Sequence, residues 1–371
     1  MNVSMMSLDA IIPYDKNPRR NASAIGPVAA SLKAYGFRRP IVVDAGMVII
    51  VGHTRYLAAK RLGLKEVPVH VATDLTPEQV RAYRIADNKT GEIAEWDDKL
   101  LAGELRSLLE RDVDLVPVGF NENELNRLLA SPPQDGLCDP DSLPDLASVV
   151  PRAKPGDLWR CGRHFVLVGN ACEAADVVRV TDKLKPAIMI CEPDLEANYE
   201  AAFSRSPANV AYVWHTPFAT AKVGAALKKS LHDVRSQLIL EDAGVALHGC
   251  DYSRSHLCCL YAVKRGCAAR WGGDRKQSTI WSFPGSIACG GDLASLYGIP
   301  VRRSSLVLER SLLNHGGEGD VAYFPFAGTG PGLIAAERTH RTAACIERNP
   351  VLVDVILARW EAFSGEKAKC V

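Results

Sequence analysis

The chain is short of three things. No apolar run approaches the roughly 18 residues that a membrane-spanning helix needs, and the opening residues lack the basic-then-apolar pattern of a secretory leader. Both absences predict a soluble protein of the cytoplasm. None of the eleven cysteines forms a C-x-x-C pair, the spacing from which zinc and redox motifs are read. Cys191 and Cys345 instead sit inside apolar runs, as reduced core cysteines do, so no metal site is predicted. The third shortage is net charge: 44 Lys and Arg stand against 43 Asp and Glu, a formal +1. Any hold on nucleic acid must then come from local patches rather than a global field. What the chain has is apolar mass. At 47% hydrophobic over 371 residues, it can bury two cores.

The most informative stretch is Tyr323 to Glu337, YFPFAGTGPGLIAAE. An apolar run, Val321 to Phe326, has the length of a buried strand. Gly328, Gly330 and Gly332 follow, then the residues of a helix start. A strand, a tight glycine turn and a helix together bring bare backbone amides and a helix N-terminus close to a ligand. The next strand, Thr342 to Ile346, ends at Glu347, where nucleotide-binding α/β folds hydrogen-bond a ribose. Phe326, Thr329 and Asn170 complete the predicted set. Such a site looks like one for S-adenosylmethionine.

In chain order, Leu8 to Pro13 reads as a short strand and Ala24 to Tyr35 as a helix closed by Gly36. Ile41 to Val43 and Val48 to Val51 flank Asp44-Ala45-Gly46, a hairpin signal. Gly52 to Gly63 leads into an amphipathic helix, and Val67 to Val71 is a further strand. Arg81 to Asp87, Lys99 to Arg111 and Glu122 to Leu129 read as helices, the last with a capping box from Asn121 and Glu124. The turn Asn17-Pro18-Arg19, the box Gly52, Arg55, Ala58 and the run Ala86-Asp87-Asn88-Lys89 resemble the ParB/sulfiredoxin-like domain. The resemblance implies a phosphate, of nucleotide or DNA, cradled by Gly52, His53 and Arg55. A glycine-led helix start with an arginine in its first turn suits an anion. The plain alternative makes Arg55 and Arg61 solvated helix charges. His53 stands where many of that family carry Glu, so nucleotide hydrolysis is not predicted.

Residues 131 to 156 hold six prolines and no sustained period, the composition of a linker. This divides the chain into a ParB-like domain over 1–130, the linker, and a second domain over 157–371. Seven β-rich runs interleaved with helical stretches follow: Phe165 to Val168, Ala187 to Cys191, Val210 to Trp214, Gln237 to Leu240, Leu257 to Val263, Val321 to Phe326 and Thr342 to Ile346. They predict a doubly wound α/β sheet. PGDLWRCGRHFVLVGN, WGGDRKQSTIW and FAGTGPGLIAAE with IERNPVLVDVILARWEAFSGEKA make residues 155 to 367 similar to a DNA amino-methyltransferase of the permuted class, in which the catalytic motif precedes the cofactor loop. The resemblance implies a Rossmann-like S-adenosylmethionine-dependent sheet that acts on adenine N6 or cytosine N4 of a flipped base.

Several positions depart from that family. It carries D-P-P-Y where this chain has Glu192-Pro193-Asp194-Leu195; a carboxylate survives, but leucine supplies no stacking, worth about 1–3 kcal/mol per base. Phe324 and Asn170 stand where aspartates are usual, Arg302-Arg303-Ser304 where Q-K-P is usual, and Pro331 removes an amide. Arg270, Arg275 and Lys276, with Trp271 and Trp281 interleaved, suit contacts to double-stranded DNA, as do Arg302 and Arg303; a charged surface turn is the plain alternative. Tyr199 reads as a packed surface tyrosine, with a stand-in for the missing aromatic as the alternative, and Cys258 and Cys259 as core. Three functions remain open: amino-methyl transfer with Glu192, Pro193 and Asp194 at the amine; an inactive relative that binds DNA or a catalytic partner subunit; and transfer of a different group from a modified cofactor. A homodimer is equally open, and no membrane partner is expected.

Overall fold

The computed structural model describes residues 2–145, 148–192, 198–241, 256–273, 277–283, 287–289 and 301–371. The chain divides into two units, Met1–Leu129 and Ala130–Val371. Among the described residues no helix is long and apolar enough to cross a membrane.

The first unit is α+β. Strands β1 (Ser4–Ser7), β2 (Ile41–Val43), β3 (Ile49–Val51) and β4 (Glu66–Val71) form a sheet in the order β1-β4-β2-β3. Asp44 makes the predicted hairpin between β2 and β3: its Oδ1 accepts from the amides of Gly46 and Val48, both at 3.0 Å. Helices α1 (Ile25–Tyr35), α2 (His53–Arg61) and α3 (Pro77–Thr90) follow or interrupt these strands, and α4 (Asp98–Leu109) and α5 (Glu122–Leu129) pack on each other around Leu105 and Leu128. Asn121 and Glu124 cap α5 reciprocally, at 2.9 and 3.0 Å. Ile41, Val43, Ile49, Val67 and Val69 are fully enclosed. The predicted strand Leu8 to Pro13 is not one. β1 precedes it, Leu8–Ala10 is a 3-10 turn, and only Ile12 bridges to Val48. The sheet takes up the polar SMMS segment because that edge strand is held by backbone pairing to β4, while Leu8 and Ile11 turn in to fill the core.

The second unit is built on ten strands: β5 (Leu158–Cys161), β6 (His164–Val168), β7 (Pro186–Cys191), β8 (Val210–His215), β9 (His232–Glu241), β10 (His256–Lys264), β11 (Ile280–Ser282), β14 (Val321–Phe324), β15 (Thr342–Glu347) and β16 (Lys369–Cys370). Their order is β11-β9-β10-β8-β7-β14-β15-β6-β5-β16. The neighbours from β8 through β6 are parallel, and β10 runs antiparallel to both β8 and β9. A separate ladder joins β12 (Ile287–Cys289) to β13 (Val301–Arg303). All seven predicted runs lie in the large sheet, and β5, β11 and β16 extend its edges.

Helices cover both faces, so the sheet is doubly wound. Residues of α6 (Ala174–Thr181), α7 (Tyr199–Arg205) and α8 (Thr220–Lys229) close one core with Met189, Val213 and Ile346. Those of α9 (Ser305–Leu313), α10 (Pro331–Arg338) and α11 (Pro350–Ser364) close the other with Ile190, Phe324 and Cys345. Trp214, Trp281 and Trp360 are fully buried; large side chains of this kind contribute the biggest single shares of apolar burial in a domain. Cys258 and Cys259 are core residues.

The proline-rich stretch bonds to the second unit at several points. Ala130 onward belongs to the second unit, where the stretch lies as a strap. Gln134 N donates to Arg338 O at 2.7 Å and Leu137 N to Phe363 O at 2.8 Å. Gly136 lies so flat on the Phe363 ring that a side chain there would overlap it. Further along, the amides of Arg152 and Ala153 both donate to Asp354 Oδ1 at 3.0 Å, and Arg152 pairs with Glu361.

Candidate functional site

The strand order reverses between β14 and β7, which are parallel neighbours. From β14 the chain passes through α10 to β15 on one side; from β7 it passes through α7 to β8 on the other. The carboxyl ends of strands at such a reversal of order are where open α/β sheets bind ligands. Glu192 follows β7 directly, and the glycine loop follows β14.

The loop is built for close approach. Gly328 has φ +55°, and a Cβ there would meet nothing within 4 Å. Gly330 has φ +79°, and a Cβ would press on Ile356 of α11 at 3.0 Å. The loop therefore leans on α11 while its Gly328 side stays open. Ala327 N donates to Ile346 O at 3.0 Å, and Gly330 N to Ala327 O at 2.9 Å. Gly328 N donates to Glu347 Oε2 at 2.8 Å, and Asn349 N to Oε1 at 2.9 Å. Thr329 is buried, and its carbonyl accepts from Arg359 Nη1 at 3.1 Å. Gly169 N bonds to Glu347 O at 3.0 Å, which brings Asn170 to the same end of the sheet. Asn170 uses its side-chain oxygen on Cys172 N, at 3.0 Å, to start the turn into α6. Phe326 packs on the core that lies against α6 to α8.

Phe326, Gly328, Thr329, Gly330, Glu347, Asn170 and Glu192 thus converge on the carboxyl end of the central strands. Pro193 and Asp194 lie outside the described residues, as do Leu195, Arg275 and Lys276. Phe324 is buried with its ring against Gly332, where any side chain would collide with it. The open face at Gly328 beside the Glu347 carboxylate fits S-adenosylmethionine; Phe324 adds apolar filling and no polar contact.

The predicted DNA face divides. Arg270 is half-exposed at φ +46° and pairs with Asp320 at 3.7 Å. Arg302 and Arg303 lie on β13, opposite Ala288 and Ile287. Trp271 belongs to an aromatic cluster, edge-on to His315 at 5.3 Å. His315 Nδ1 lies 2.7 Å from Ala269 O and Nε2 lies 3.0 Å from Tyr212 Oη, so the imidazole donates through Nδ1 and accepts the phenol proton. Burial holds His315 at a pKa of about 4. Trp281 is not a contact residue: it is 2% exposed, against Trp214 and under the Arg310 guanidinium. Its aromatic ring fills the core where the flat edge of β11 meets β9. Tyr199 is likewise buried, stacked on Phe203.

The first unit has a cavity of about 570 Å3. It gathers the three segments singled out in the sequence: Asn17 and Arg19 from the turn, Gly52, His53 and Arg55 at the start of α2, and Asp87 and Asn88 from α3. Arg38 and Arg39 complete a wall with four guanidinium groups facing one carboxylate, Asp87. Gly52, at φ +111°, lets the Arg55 guanidinium fold back over it. Burial, then the neighbouring Arg39, lowers the Arg55 pKa, with Asp87 opposing. Among the described residues its Nε is buried without a partner. A dehydrated guanidinium facing another cation is short of an anion. The solvated-charge reading fits Arg61, which is exposed, and not Arg55. His53 accepts from Tyr14 N at 3.2 Å, and burial, then Arg84, pushes its pKa down. It is a neutral acceptor.

Sequence reasoning missed Arg359, a buried cation at the glycine loop, and Asp141, which faces it from the strap. A charge inside the apolar helix PVLVDVILARWEAFS was the available signal, since such residues are almost never fully buried without partners.

The family described as the ParB N-terminal domain matches residues 1–88, and the ParB-methyltransferase HTH domain matches residues 99–155. The ParB-like nuclease domain-containing protein YnaK of Escherichia coli is 36% identical over 73 residues, 19% of this chain and 84% of that protein. A C-terminally truncated chromosome-partitioning protein ParB from Caulobacter crescentus, solved with CTP-gamma-S, aligns at 22% identity over 35% of this chain and 77% of its own, TM-score 0.31. A DNA modification methylase of Thermus thermophilus, solved with S-adenosyl-L-methionine, aligns at 17% identity over 55% of this chain and 96% of its own, TM-score 0.41.

Proposed function

Because this chain belongs to the ParB-like family through its N-terminal unit, we propose that it is a DNA-acting protein whose second unit transfers a methyl group to an exocyclic base amine, adenine N6 or cytosine N4. One observation carries the reading. Glu192 and the Gly328–Gly330 loop follow adjacent strands at the point where the strand order reverses, which supports reading them as an acceptor for an amine and a nucleoside cradle. Gly328, Thr329, Gly330 and Glu347 hold S-adenosylmethionine, with Phe326 and Asn170 at the margins. The cofactor supplies an electrophilic methyl group. Glu192 orients the amine by accepting its hydrogen bond, so that the nitrogen lone pair faces the donor, with Pro193 and Asp194 next to it in the catalytic motif. Arg270, Arg275, Lys276, Arg302 and Arg303 serve the DNA backbone. In the first unit Gly52, His53 and Arg55 hold a phosphate of nucleotide or DNA, supported by the excess of guanidinium in that cavity.

Calorimetry with S-adenosylmethionine and transfer of a labelled methyl group to double-stranded DNA test this. Binding in the micromolar range and label on DNA are expected, with Glu192→Ala abolishing transfer and leaving the binding heat in place. No heat at high micromolar cofactor would remove the transferase reading. A second reading is favoured by the Phe324 ring closed on Gly332 and by leucine at 195: a relative that keeps the fold and binds DNA or a catalytic subunit without transfer. Binding heat with no label on any DNA tried would select it.

A further inference from the structure

Arg359 is 3% exposed and stands where three segments meet. Nη1 donates to Thr329 O of the glycine loop at 3.1 Å. Nη2 donates to Pro140 O of the strap at 2.7 Å and lies 3.6 Å from Asp141 Oδ1. The same Asp141 oxygen accepts from Ser305 N at 2.8 Å, at the head of α9, and its other oxygen takes the Ser304 hydroxyl. One guanidinium therefore ties the loop to the strap, and one strap carboxylate fixes that guanidinium from behind.

We propose that Arg359 is a positioning residue for the glycine loop, and that Asp141 sets its position, so that the strap's seating governs the shape of the ligand cradle although no strap residue touches the ligand. This rests on the reading of the loop as the cradle. The physical case is direct. Thr329 lies between two left-handed glycines, a backbone of high conformational freedom. Its neighbours are held by the bonds of Gly328 N to Glu347 Oε2 and Gly330 N to Ala327 O, and its own carbonyl is held by Arg359. A guanidinium has several rotamers and keeps this one while its second nitrogen is held by Pro140 and Asp141.

Hydrogen exchange of the full-length protein reads the loop without any need for activity. Asp141→Asn keeps an oxygen for Ser305 N and removes the charge facing Arg359. It should speed exchange in the peptide spanning 325–333 about tenfold, with Arg359→Lys doing the same. Asp135→Asn is the control, since Asp135 pairs with Arg338 elsewhere on the strap, and it should leave that peptide at the wild-type rate. Protection in β15 should be unchanged in all three. If Arg359→Lys does not fold, Asp141→Asn carries the comparison. By the reciprocity of coupling, S-adenosylmethionine added to the wild type should slow exchange of strap residues 134–142. Faster strap exchange in Asp141→Asn with an unchanged loop would overturn the proposal. Failure of the cofactor to bind by calorimetry would instead remove the cradle reading and leave the variant comparison to decide the mechanical link.

Discussion

At the scale of single residues, the two candidate sites treat their charges in opposite ways. Beside the glycine loop, the Glu347 carboxylate is already engaged by two backbone amides, and a ligand must share or displace them. In the first unit, Arg55 is half-buried with an unfilled donor and has more to gain from an anion. Arg55→Ala should therefore weaken binding of the protein to DNA across sequences, and it should reduce the slope of log affinity against log salt by about 0.9 if one phosphate is lost. Titrations between low and moderate salt measure it. An unchanged slope would show that Arg55 meets no DNA phosphate. Lysine should not rescue fully, because the wall around Arg55 suits a planar fork rather than a point charge.

At the scale of elements, the glycine loop and α10 act as one piece. Gly332 is bare because the Phe324 ring occupies the space of its side chain. Gly332→Ala should destabilise the second unit by about 2 kcal/mol, the usual cost of overfilling a core, and Phe324→Leu in the same chain should recover part of it. Thermal unfolding decides; equal midpoints for wild type and Gly332→Ala would show that the ring yields freely. These elements also show what a sequence makes legible. The seven main strands were readable because apolar β-rich runs are long and bounded by turns; the spacing of Gly328, Gly330 and Glu347 points to a backbone cradle, which cofactor binding tests. β5, β11 and β16 were not readable, since short edge strands owe their existence to a neighbour. The bonds that tie the proline-rich stretch to the second unit run through carbonyls and amides, and composition carries no trace of those. Trp281 looked like a surface aromatic among basic residues, yet tertiary packing placed it inside.

At the scale of the whole molecule, acid should weaken the second unit. His315 is neutral and buried, held at about 4, while the unfolded chain protonates it near its ordinary 6.5. The folded value is depressed, so stability is complete above about pH 6.5 and is lost as pH falls toward 4. By pH 5 this group alone should cost about 2 kcal/mol. His164 adds to the slope: burial lowers its pKa, and Ala343 N donates to its Nδ1 at 2.9 Å. Burial would raise Glu337, but hydrogen bonds from His164 and Trp360 and the Arg163 charge hold it at about 2, so its contribution persists to lower pH. Denaturant midpoints at pH 7.5 and 5 test the sign. A flat profile would mean that these histidines are hydrated in the native state.

The order of strands has a consequence for synthesis. β7 and β14 lie side by side in the sheet, yet the whole of β8 through β13 separates them in the chain. Until β14 and β15 leave the ribosome, the sheet exists as two pieces, one ending at β7 and the other at β6, each with a parallel edge exposed. Emerging chains pass that interval over seconds, and open apolar edges of this kind seek any strand within reach. The nascent chain should need shielding through that interval, and premature stops between Lys264 and Val321 should yield aggregates rather than a smaller folded domain.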